Sequence, residues 1–439
     1  MGVDVLDPII VGILGIICFL ILLVIGIPVG ISMALVGFLG FAYLVSFESA
    51  LGKIALTPFV TMIDYNFAVV PAFILMAQIF RVSGLGGKLY DMCEKWLGHR
   101  RGGLALATVL AAAVFASISA STIATVVTIG AIAIPEMFKR RYDKGFAGAS
   151  VAAAGGLGVL IPPSAILILY ALMTEQSIRA LFIAGIVPGL LLVLAYIITI
   201  VLWSWLRPDL APEGEKYSFR LKLRSLANTW EIILLILLTI GGLSLGWFTP
   251  TEAGAIGASG AILIALLRRK LTWDGFMQAL MATAASSGMV VLIMIGAFIF
   301  NYFVSVTQIP QTLVSFVGEL NMTPLVIMVF VTLMYLILGM FMDSLAMILL
   351  TVPFMFPVIQ ALGYSPIWFG VYVVMVMEMA VITPPVGMNV YATAGLVRDL
   401  PLETIFKRVF PFVTAQVAVI ILILLWPELV TFLPEFFMR

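Results

Sequence analysis

Long apolar runs separated by short polar segments occupy nearly the whole of this 439-residue chain. Many of the runs reach about 17 to 25 residues, the length at which a helix spans the hydrocarbon core of a bilayer. The pattern therefore predicts an all-α polytopic membrane protein with about ten crossings. These crossings are predicted at residues 8–27, 30–46, 56–80, 146–171, 180–206, 230–247, 251–267, 277–304, 366–393 and 411–433.

The apolar stretch 103–138 does not fit this count, because it is too long for one crossing of about 20 residues and too short for two crossings with a turn. Arg100 and Arg101 precede it and basic residues 139–141 follow it, so the positive-inside rule places both ends in the cytoplasm. We therefore expect a re-entrant hairpin whose tip, residues 116–122, lies near mid-membrane.

A second stretch of this kind, 324–357, lies in a region without Lys or Arg between residues 270 and 398, so we expect it to enter from the opposite face. An offset of 222 residues takes Pro162 to Pro384 and Ser121 to Asp343. Equivalent segments with opposite orientations indicate an inverted repeat, as in many secondary transporter folds.

The repeat predicts the domain organisation. We expect N-terminal scaffold helices in 1–80; a first repeat in 81–206, with the cytoplasmic-side hairpin 103–138 and a broken helix 146–171; a cytoplasmic linker in 207–229; scaffold helices in 230–310; and a second repeat in 311–439, with the periplasmic-side hairpin 324–357, a broken helix 366–393 and a C-terminal helix.

Clusters of Lys and Arg predict the orientation of the chain. If each cluster marks a cytoplasmic loop, both termini are periplasmic. The first helix follows Asp4 and Asp7 and lacks the positive start of a signal peptide, so we expect it to be retained. The clusters lie at 81–101, 139–144, 207–224, 268–270 and 398–408.

Composition excludes several function classes. The chain is 63% hydrophobic and 10% charged, which is typical of an integral protein surrounded by lipid. Its net charge of +1 and lack of a basic stripe argue against a nucleic-acid partner. Cys18 and Cys93 have no metal or redox spacing, and His99 is the single histidine, so a transition-metal site or a membrane-embedded hydrolase is disfavoured. We expect a protein that is not an enzyme.

The double prolines Pro162–Pro163 and Pro384–Pro385 interrupt apolar runs and should break their helices, because proline removes an amide donor and frees a carbonyl. Freed carbonyls near mid-membrane could coordinate a cation such as sodium. The half-helix after each break would direct its positive N-terminus at the same region, which favours a carboxylate. The alternative is that the kinks only shape helix packing.

The hairpin tips carry oxygen-rich side chains that suit hard cations. Asp343 is the most informative, because an aspartate at the bilayer centre costs about 2.5 to 3.5 kcal/mol and should have a partner. Glu378 and Asp64 also lie in apolar runs, where either residue could cap a buried amide or lie near an interface. Glu252 fits an ordinary helix start. The tip residues are Ser117, Ser119, Ser121 and Thr122 in the first hairpin, and Asp343 and Ser344 in the second.

Several of these segments resemble the large membrane subunit of TRAP transporters of the C4-dicarboxylate and sialic-acid types. They are "ASISASTIATVVTIGAIAIPEM", "GFAGASVAAAGGLGVLIPPSAILILY", "GWFTPTEAGA", "LGMFMDSLAMILLTVPF" and "VITPPVGMNVYATAG". The resemblance implies a sodium-driven importer in the bacterial inner membrane that uses an elevator mechanism and no organic cofactor. It also implies two separate partners, a small four-helix membrane subunit and a periplasmic binding protein that delivers an organic acid.

The resemblance further implies two sodium sites, which also hold the substrate. The first combines Ser117, Ser119, Ser121 and Thr122 with Gly155, Gly156, Gly158, Pro162, Pro163 and Ser164. The second combines Gly339, Met340, Asp343 and Ser344 with Thr383, Pro384, Pro385, Gly387 and Asn389.

Two alternatives remain open from the sequence. The same fold could couple to protons through Asp343 or Glu378, because membrane carboxylates relay protons in many transporters. A channel or a structural membrane subunit is less favoured, because a channel needs a continuous polar path and these breaks come from opposite faces.

Overall fold

The computed structural model describes residues 6–119, 121–320, 322–397 and 400–438, and every regular element within them is a helix. In the first half these are α1 Pro8–Val24, α2 Val29–Leu44, α3 Phe47–Ile63, a 3-10 turn Tyr65–Ala68, α4 Val69–Val82, α5 Gly86–Leu97, α6 Gly103–Ser119, α7 Thr122–Lys139, α8 Lys144–Gly155, α9 Leu157–Leu160, α10 Ala165–Thr174 and α11 Ile178–Leu206.

The second half begins with the linker helix α12 Phe219–Ala227 and α13 Trp230–Ile236. A short π-helical turn, Leu237–Gly241, leads into the remaining helices. They are α14 Gly242–Leu245, α15 Pro250–Leu267, α16 Trp273–Val306, α17 Ile309–Glu319, α18 Pro324–Gly339, α19 Ser344–Ala361, α20 Pro366–Ala380, α21 Met388–Gly395, α22 Leu402–Leu425 and α23 Glu428–Phe437.

Within the described residues, eight helical segments are long and apolar enough to cross a membrane, or nine with the pair α12 and Trp230–Leu245, which is bent by 51°. This differs from the ten predicted crossings. Two of the eight, α7 and α19, are the second arms of the hairpins and were not counted among the predicted crossings. The helices α1 and α2 correspond to predicted crossings but are not among the eight, because they have only 17 and 16 residues.

Two predicted crossings are wrong as continuous helices. The segment 56–80 is divided because α3 ends at Ile63, where the Asp64 side chain accepts a hydrogen bond from the Asn66 amide at 2.9 Å and starts a turn. The segment 411–433 is divided at Trp426, because Pro427 follows it and cannot continue the helix.

Close helix contacts form one side of the molecule, where α16 packs against α2 and α4. A Cβ on Gly37 of α2 would lie 2.6 Å from the Phe300 Cα, and one on Gly296 of α16 would lie 2.1 Å from the Gly30 carbonyl oxygen. Only glycine allows such approach, and small residues of this kind are typical of helix contacts within membranes. This side includes the wall of the site formed by α4 and α16.

Each predicted hairpin is a pair of helices with a short break between them, α6 with α7 and α18 with α19. Their 16 to 18 residues give arms of about 24 to 27 Å at the usual rise. Ala120, at the first tip, lies outside the described residues.

The predicted breaks at the two double prolines are present. The chain leaves helical conformation at Ile161 and resumes at Ala165, and it leaves α20 after Ala380 and resumes at Met388. The peptide bonds Pro162–Pro163 and Pro384–Pro385 are both cis.

The linker between the repeats folds over the open end of the first hairpin. The Leu210 carbonyl accepts a hydrogen bond from the Asp143 amide at 2.9 Å, and the Ala211 carbonyl accepts one from the Gly102 amide at 3.3 Å. Nearby, Glu94 forms an ion pair with Arg140 at 2.5 Å. Burial raises the pKa of the Glu94 carboxyl above its ordinary value, although Arg140 opposes the shift.

Candidate ion and substrate site

A cavity of about 290 Å³ lies where both hairpin tips and both broken helices meet α4 and α16. Its lining contains the first residues of four helices that begin after a break, and Thr122, Ser344 and Asn389 among them were predicted to face ions or substrate. These first residues are Thr122, Ile123 and Ala124 of α7; Ala165 and Ile166 of α10; Ser344 and Leu345 of α19; and Met388 and Asn389 of α21.

The first hairpin tip is organised by short hydrogen bonds. Ser121 caps α7, its hydroxyl accepting from the Ala124 amide at 3.3 Å. The hydroxyls of Ser119 and Thr125 lie 2.8 Å apart, and Thr125 donates to the Ser121 carbonyl at 2.9 Å. A Cβ on Gly158 would lie 2.7 Å from the Thr125 hydroxyl oxygen, so glycine lets the broken helix approach this cluster.

The second tip repeats the same capping arrangement. Asp343 caps α19 and accepts a hydrogen bond from the Ala346 amide at 2.9 Å. Under the 222-residue offset Asp343 corresponds to Ser121 and Ala346 to Ala124. The partner expected for the Asp343 carboxylate is therefore the backbone at the start of its own helix, as for an ordinary helix cap.

Glu378 connects the two tips. Its side chain is 1% exposed, and its Oε2 accepts a hydrogen bond from the Thr122 hydroxyl at 3.0 Å. Its Oε1 accepts one from the Ser344 hydroxyl at 3.5 Å, the upper limit for such a bond. Thr122 and Ser344 are equivalent under the offset, so corresponding hydroxyls of the two hairpins bind the two oxygens of one carboxylate.

The residue equivalent to Glu378 in the first repeat is Gly156, and the two are in contact. A Cβ on Gly156 would lie 3.3 Å from Glu378 Oε2, closer than an ordinary van der Waals contact. Of these two equivalent positions, one is therefore a glycine without a side chain and the other carries the carboxylate. At this pair of equivalent positions the site therefore has one acid and not two.

Asn389 lies beside the first broken helix, although the sequence assigned it to the second group of residues. Its Nδ2 donates to the Ala152 carbonyl at 3.2 Å, and a Cβ on Gly155 would lie 3.3 Å from that nitrogen. The side chain is 1% exposed, and its Oδ1 has no hydrogen-bond partner in the described part of the chain. This buried acceptor is available to a cation.

Three predicted hydroxyls bind backbone close to them in the chain. Ser117 donates to the Ala113 carbonyl at 3.5 Å, Ser164 accepts from the Leu167 amide at 3.3 Å, and Thr383 donates to the Met379 carbonyl at 2.6 Å. These three lie outside the cavity lining, as do the predicted residues Gly155, Gly156, Gly158, Pro162, Pro163, Gly339, Met340, Pro384, Pro385 and Gly387.

Sequence reasoning missed the wall formed by α4. Gln78 and Arg81 line the cavity, and Arg81 Nε donates to Gln78 Oε1 at 2.7 Å. The sequence interpretation used Arg81 only as a marker of a cytoplasmic loop. The spacing of three and four residues would have shown that Gln78 and Arg81 lie on one face of α4, together with Ile74 and Ala77.

The donors around the cavity are hydroxyl, carbonyl, amide and carboxylate oxygens. Within the described ranges, no group of three His, Cys, Asp or Glu side chains could hold a metal ion. Neutral oxygens with few charges fit a hard monovalent cation better than a transition metal, which prefers imidazole and thiolate ligands. The unpartnered Asn389 Oδ1 and the hydroxyls of the first tip fit such an ion.

Comparison with known proteins places these observations in a family. A match to the family described as "Tripartite ATP-independent periplasmic transporter, DctM component" extends over residues 16–429. The C4-dicarboxylate TRAP transporter large permease protein DctM of Pseudomonas aeruginosa is 35% identical, over 87% of this chain and 89% of its own. The sialic acid TRAP transporter large permease protein SiaM of Vibrio cholerae is 32% identical, over 95% and 97%.

A solved structure shows the same fold at low sequence identity. The YdaH transporter of Alcanivorax borkumensis superposes with a TM-score of 0.66 at 13% identity, covering 87% of this chain and 89% of that one. MtrF of Neisseria gonorrhoeae gives 0.58 at 14% identity, with coverage of 86% and 84%. The chain thus shares its polytopic helical fold with these two proteins. With the family match over nearly its whole length, the chain belongs to the DctM component family of tripartite ATP-independent periplasmic (TRAP) transporters.

Proposed function

We propose that this chain is the large membrane subunit of a sodium-coupled TRAP transporter that imports an organic acid. The relatives carry names that specify C4-dicarboxylate and sialic acid as transported compounds, and both are carboxylates. Like those permeases, the chain acts in transport and catalyses no covalent reaction.

The convergence of four helix N-termini on one cavity carries this proposal. The first residues of α7, α10, α19 and α21 all contribute to its lining. Each helix N-terminus carries about half a positive elementary charge and several amides without intrahelical partners. The α19 N-terminus is already capped by the Asp343 carboxylate, so the ends of α7, α10 and α21 are the ones that favour an anionic group in the cavity. A carboxylate can accept hydrogen bonds from their amides.

Sodium supplies the remaining positive charge in this proposal. Ion ligands come from the Ser119 hydroxyl, backbone carbonyls of the first tip and Asn389 Oδ1, all near the first broken helix. Because Glu378 accepts hydrogen bonds from Thr122 and Ser344, an ion that orders one tip also affects the other. Substrate then binds to tips that sodium has already ordered.

The complex has further components in this proposal. A small four-helix membrane subunit packs on the scaffold, a periplasmic binding protein delivers the acid, and the assembly lies in the bacterial inner membrane with both termini of this chain periplasmic. The two re-entrant hairpins and broken helices move as an elevator against α2, α4 and α16, because the cavity lies between these two groups of helices.

The experiment is uptake into proteoliposomes that contain the chain, its small subunit and its binding protein. An inward sodium gradient should drive accumulation of the radiolabelled acid, and an equal potassium gradient should not. A sodium ionophore added at the plateau should release the accumulated acid. Uptake that is the same in sodium and potassium would contradict sodium coupling.

Proton coupling is a second candidate, favoured by the position of Glu378. This buried acid, with two hydroxyl donors from opposite tips, is a better proton carrier than Asp343, which is held by its own helix backbone. In this mechanism Glu378→Gln abolishes uptake driven by an inward proton gradient in sodium-free buffer. Uptake by wild-type protein that requires sodium and ignores the proton gradient would exclude it.

A further inference from the structure

One face of α4 brings a cation to the wall of the cavity. Ile74, Ala77, Gln78 and Arg81 are spaced at three and four residues, so they share one side of the helix, and all four line the cavity. Arg81 is exposed as well as lining the cavity. It is the one Lys or Arg among the described residues of the lining.

The surroundings of Arg81 leave most of its hydrogen-bonding capacity unused. Its Nε donates to Gln78 Oε1 at 2.7 Å, so the amide of Gln78 holds the guanidinium in place. Among the described residues no Asp or Glu lies within ion-pair distance of Arg81. The two acids of the cavity have other partners, since Asp343 accepts from Ala346 and Glu378 from Thr122 and Ser344.

An arginine in this state matches a second anionic group on the substrate. A guanidinium presents paired N–H donors that bind a carboxylate in a bidentate manner. The helix N-termini and Arg81 line the same cavity, so an acid with two negative charges can interact with both. The volume of about 290 Å³ lies just below the usual range for ligand pockets, about 300 to 1,000 Å³, which favours a short molecule.

We propose that Arg81, held by Gln78, binds the second carboxylate of a short dicarboxylate whose first carboxylate lies at the helix N-termini. This inference rests on the proposed transport function and specifies its substrate class. The competing role is structural, because Arg81 lies in the last turn of α4, where a cation interacts favourably with the helix C-terminus.

The test uses succinate as the dianion and butyrate as the monoanion of equal carbon number. Each is titrated into the purified complex of the chain with its small subunit, in sodium chloride and in potassium chloride. Binding is read from the rise in melting temperature with ligand concentration. Wild type should bind succinate more tightly than butyrate. Arg81→Gln should weaken succinate binding about tenfold or more and leave butyrate binding unchanged.

Three variants control for other effects. Arg81→Lys keeps the charge without the bidentate geometry and should give an intermediate loss. Gln78→Leu removes the support of the guanidinium and should weaken succinate binding less than Arg81→Gln. Arg101→Gln removes an exposed arginine that pairs with Glu213 at 2.9 Å, and it should bind both acids as wild type does.

Each contrary result has a definite meaning. Equal binding of succinate and butyrate by wild type, or unchanged succinate binding by Arg81→Gln, would overturn the inference. Equal weakening of both acids with a lower melting temperature of the ligand-free complex would assign Arg81 a structural role and also overturn it. A wild-type preference for succinate that persists in potassium would instead contradict sodium coupling and leave the role of Arg81 intact.

Discussion

Replacing Thr122 by valine removes one hydroxyl and keeps the β-branched shape, so it isolates the hydrogen bond from the first hairpin tip to Glu378. That bond is 3.0 Å long, and the carboxylate that accepts it is 1% exposed. Water therefore does not replace the lost donor. The equivalent bond from Ser344 is 3.5 Å long, at the limit of hydrogen-bond geometry.

These distances set the expected magnitudes. A hydrogen bond to an ionised carboxylate contributes about 1.5 to 3 kcal/mol to stability, so Thr122→Val should cost that amount in a buffer alkaline enough to ionise Glu378. Ser344→Ala should cost less than about 1 kcal/mol, because its bond is longer and weaker. In a Glu378→Gln background the acceptor is neutral, and the cost of Thr122→Val should fall by about 1 kcal/mol.

The assay is reversible unfolding of the complex by sodium dodecyl sulfate in mixed micelles, with the free energy of unfolding compared between variants. Thr283→Val is the matched control, because that buried hydroxyl donates to the Ala279 carbonyl of its own helix at 2.7 Å. Its loss should cost less than about 0.5 kcal/mol. Equal costs for Thr122→Val and Ser344→Ala, or full additivity with Glu378→Gln, would refute the bridging role of Glu378.

The remaining predictions concern one cap, one glycine and one pKa. Asp343→Ser should keep both the helix cap and sodium-dependent uptake, while Asp343→Ala should lower the free energy of unfolding by about 1 kcal/mol. Loss of uptake in the serine variant would show that the carboxylate itself is essential. Gly156→Ala should reduce the uptake rate, because the new Cβ would lie 3.3 Å from Glu378 Oε2. Gly288→Ala should not reduce it, because a Cβ there would have no atom within 4 Å, and equal uptake rates of the two variants would contradict the contact. Burial raises the pKa of Glu94 above 4.5, so the folded protein holds that proton more tightly than the unfolded chain, and stability should fall as pH rises from 4.5 through the raised pKa. Glu94→Gln should lose this part of the pH dependence in unfolding titrations, and an unchanged profile would contradict it.

The sequence predicted the features that follow from local chemistry. Pro162–Pro163 and Pro384–Pro385 break their helices because proline cannot donate to the helix. The hydroxyls of Ser119 and Thr122 were predicted at a cavity because polar residues in the middle of an apolar run need a partner, and both line it.

Contacts between distant segments could not be predicted in this way. Thr122 and Glu378 are 256 positions apart, and no local pattern indicates that they meet. Asn389 packs on the first broken helix because segments of the two repeats interlock there. The charge of Arg81 predicted which face of the membrane it occupies, but charge alone does not show whether a side chain faces water or a cavity.

Hydrogen exchange at the two hairpin tips tests the central claim most directly. The complex is exchanged in sodium chloride and in potassium chloride, without substrate, and peptides covering residues 116–125 and 340–347 are compared. Sodium should protect both tips together, because Thr122 and Ser344 share Glu378. Equal exchange of both tips in the two salts would contradict it.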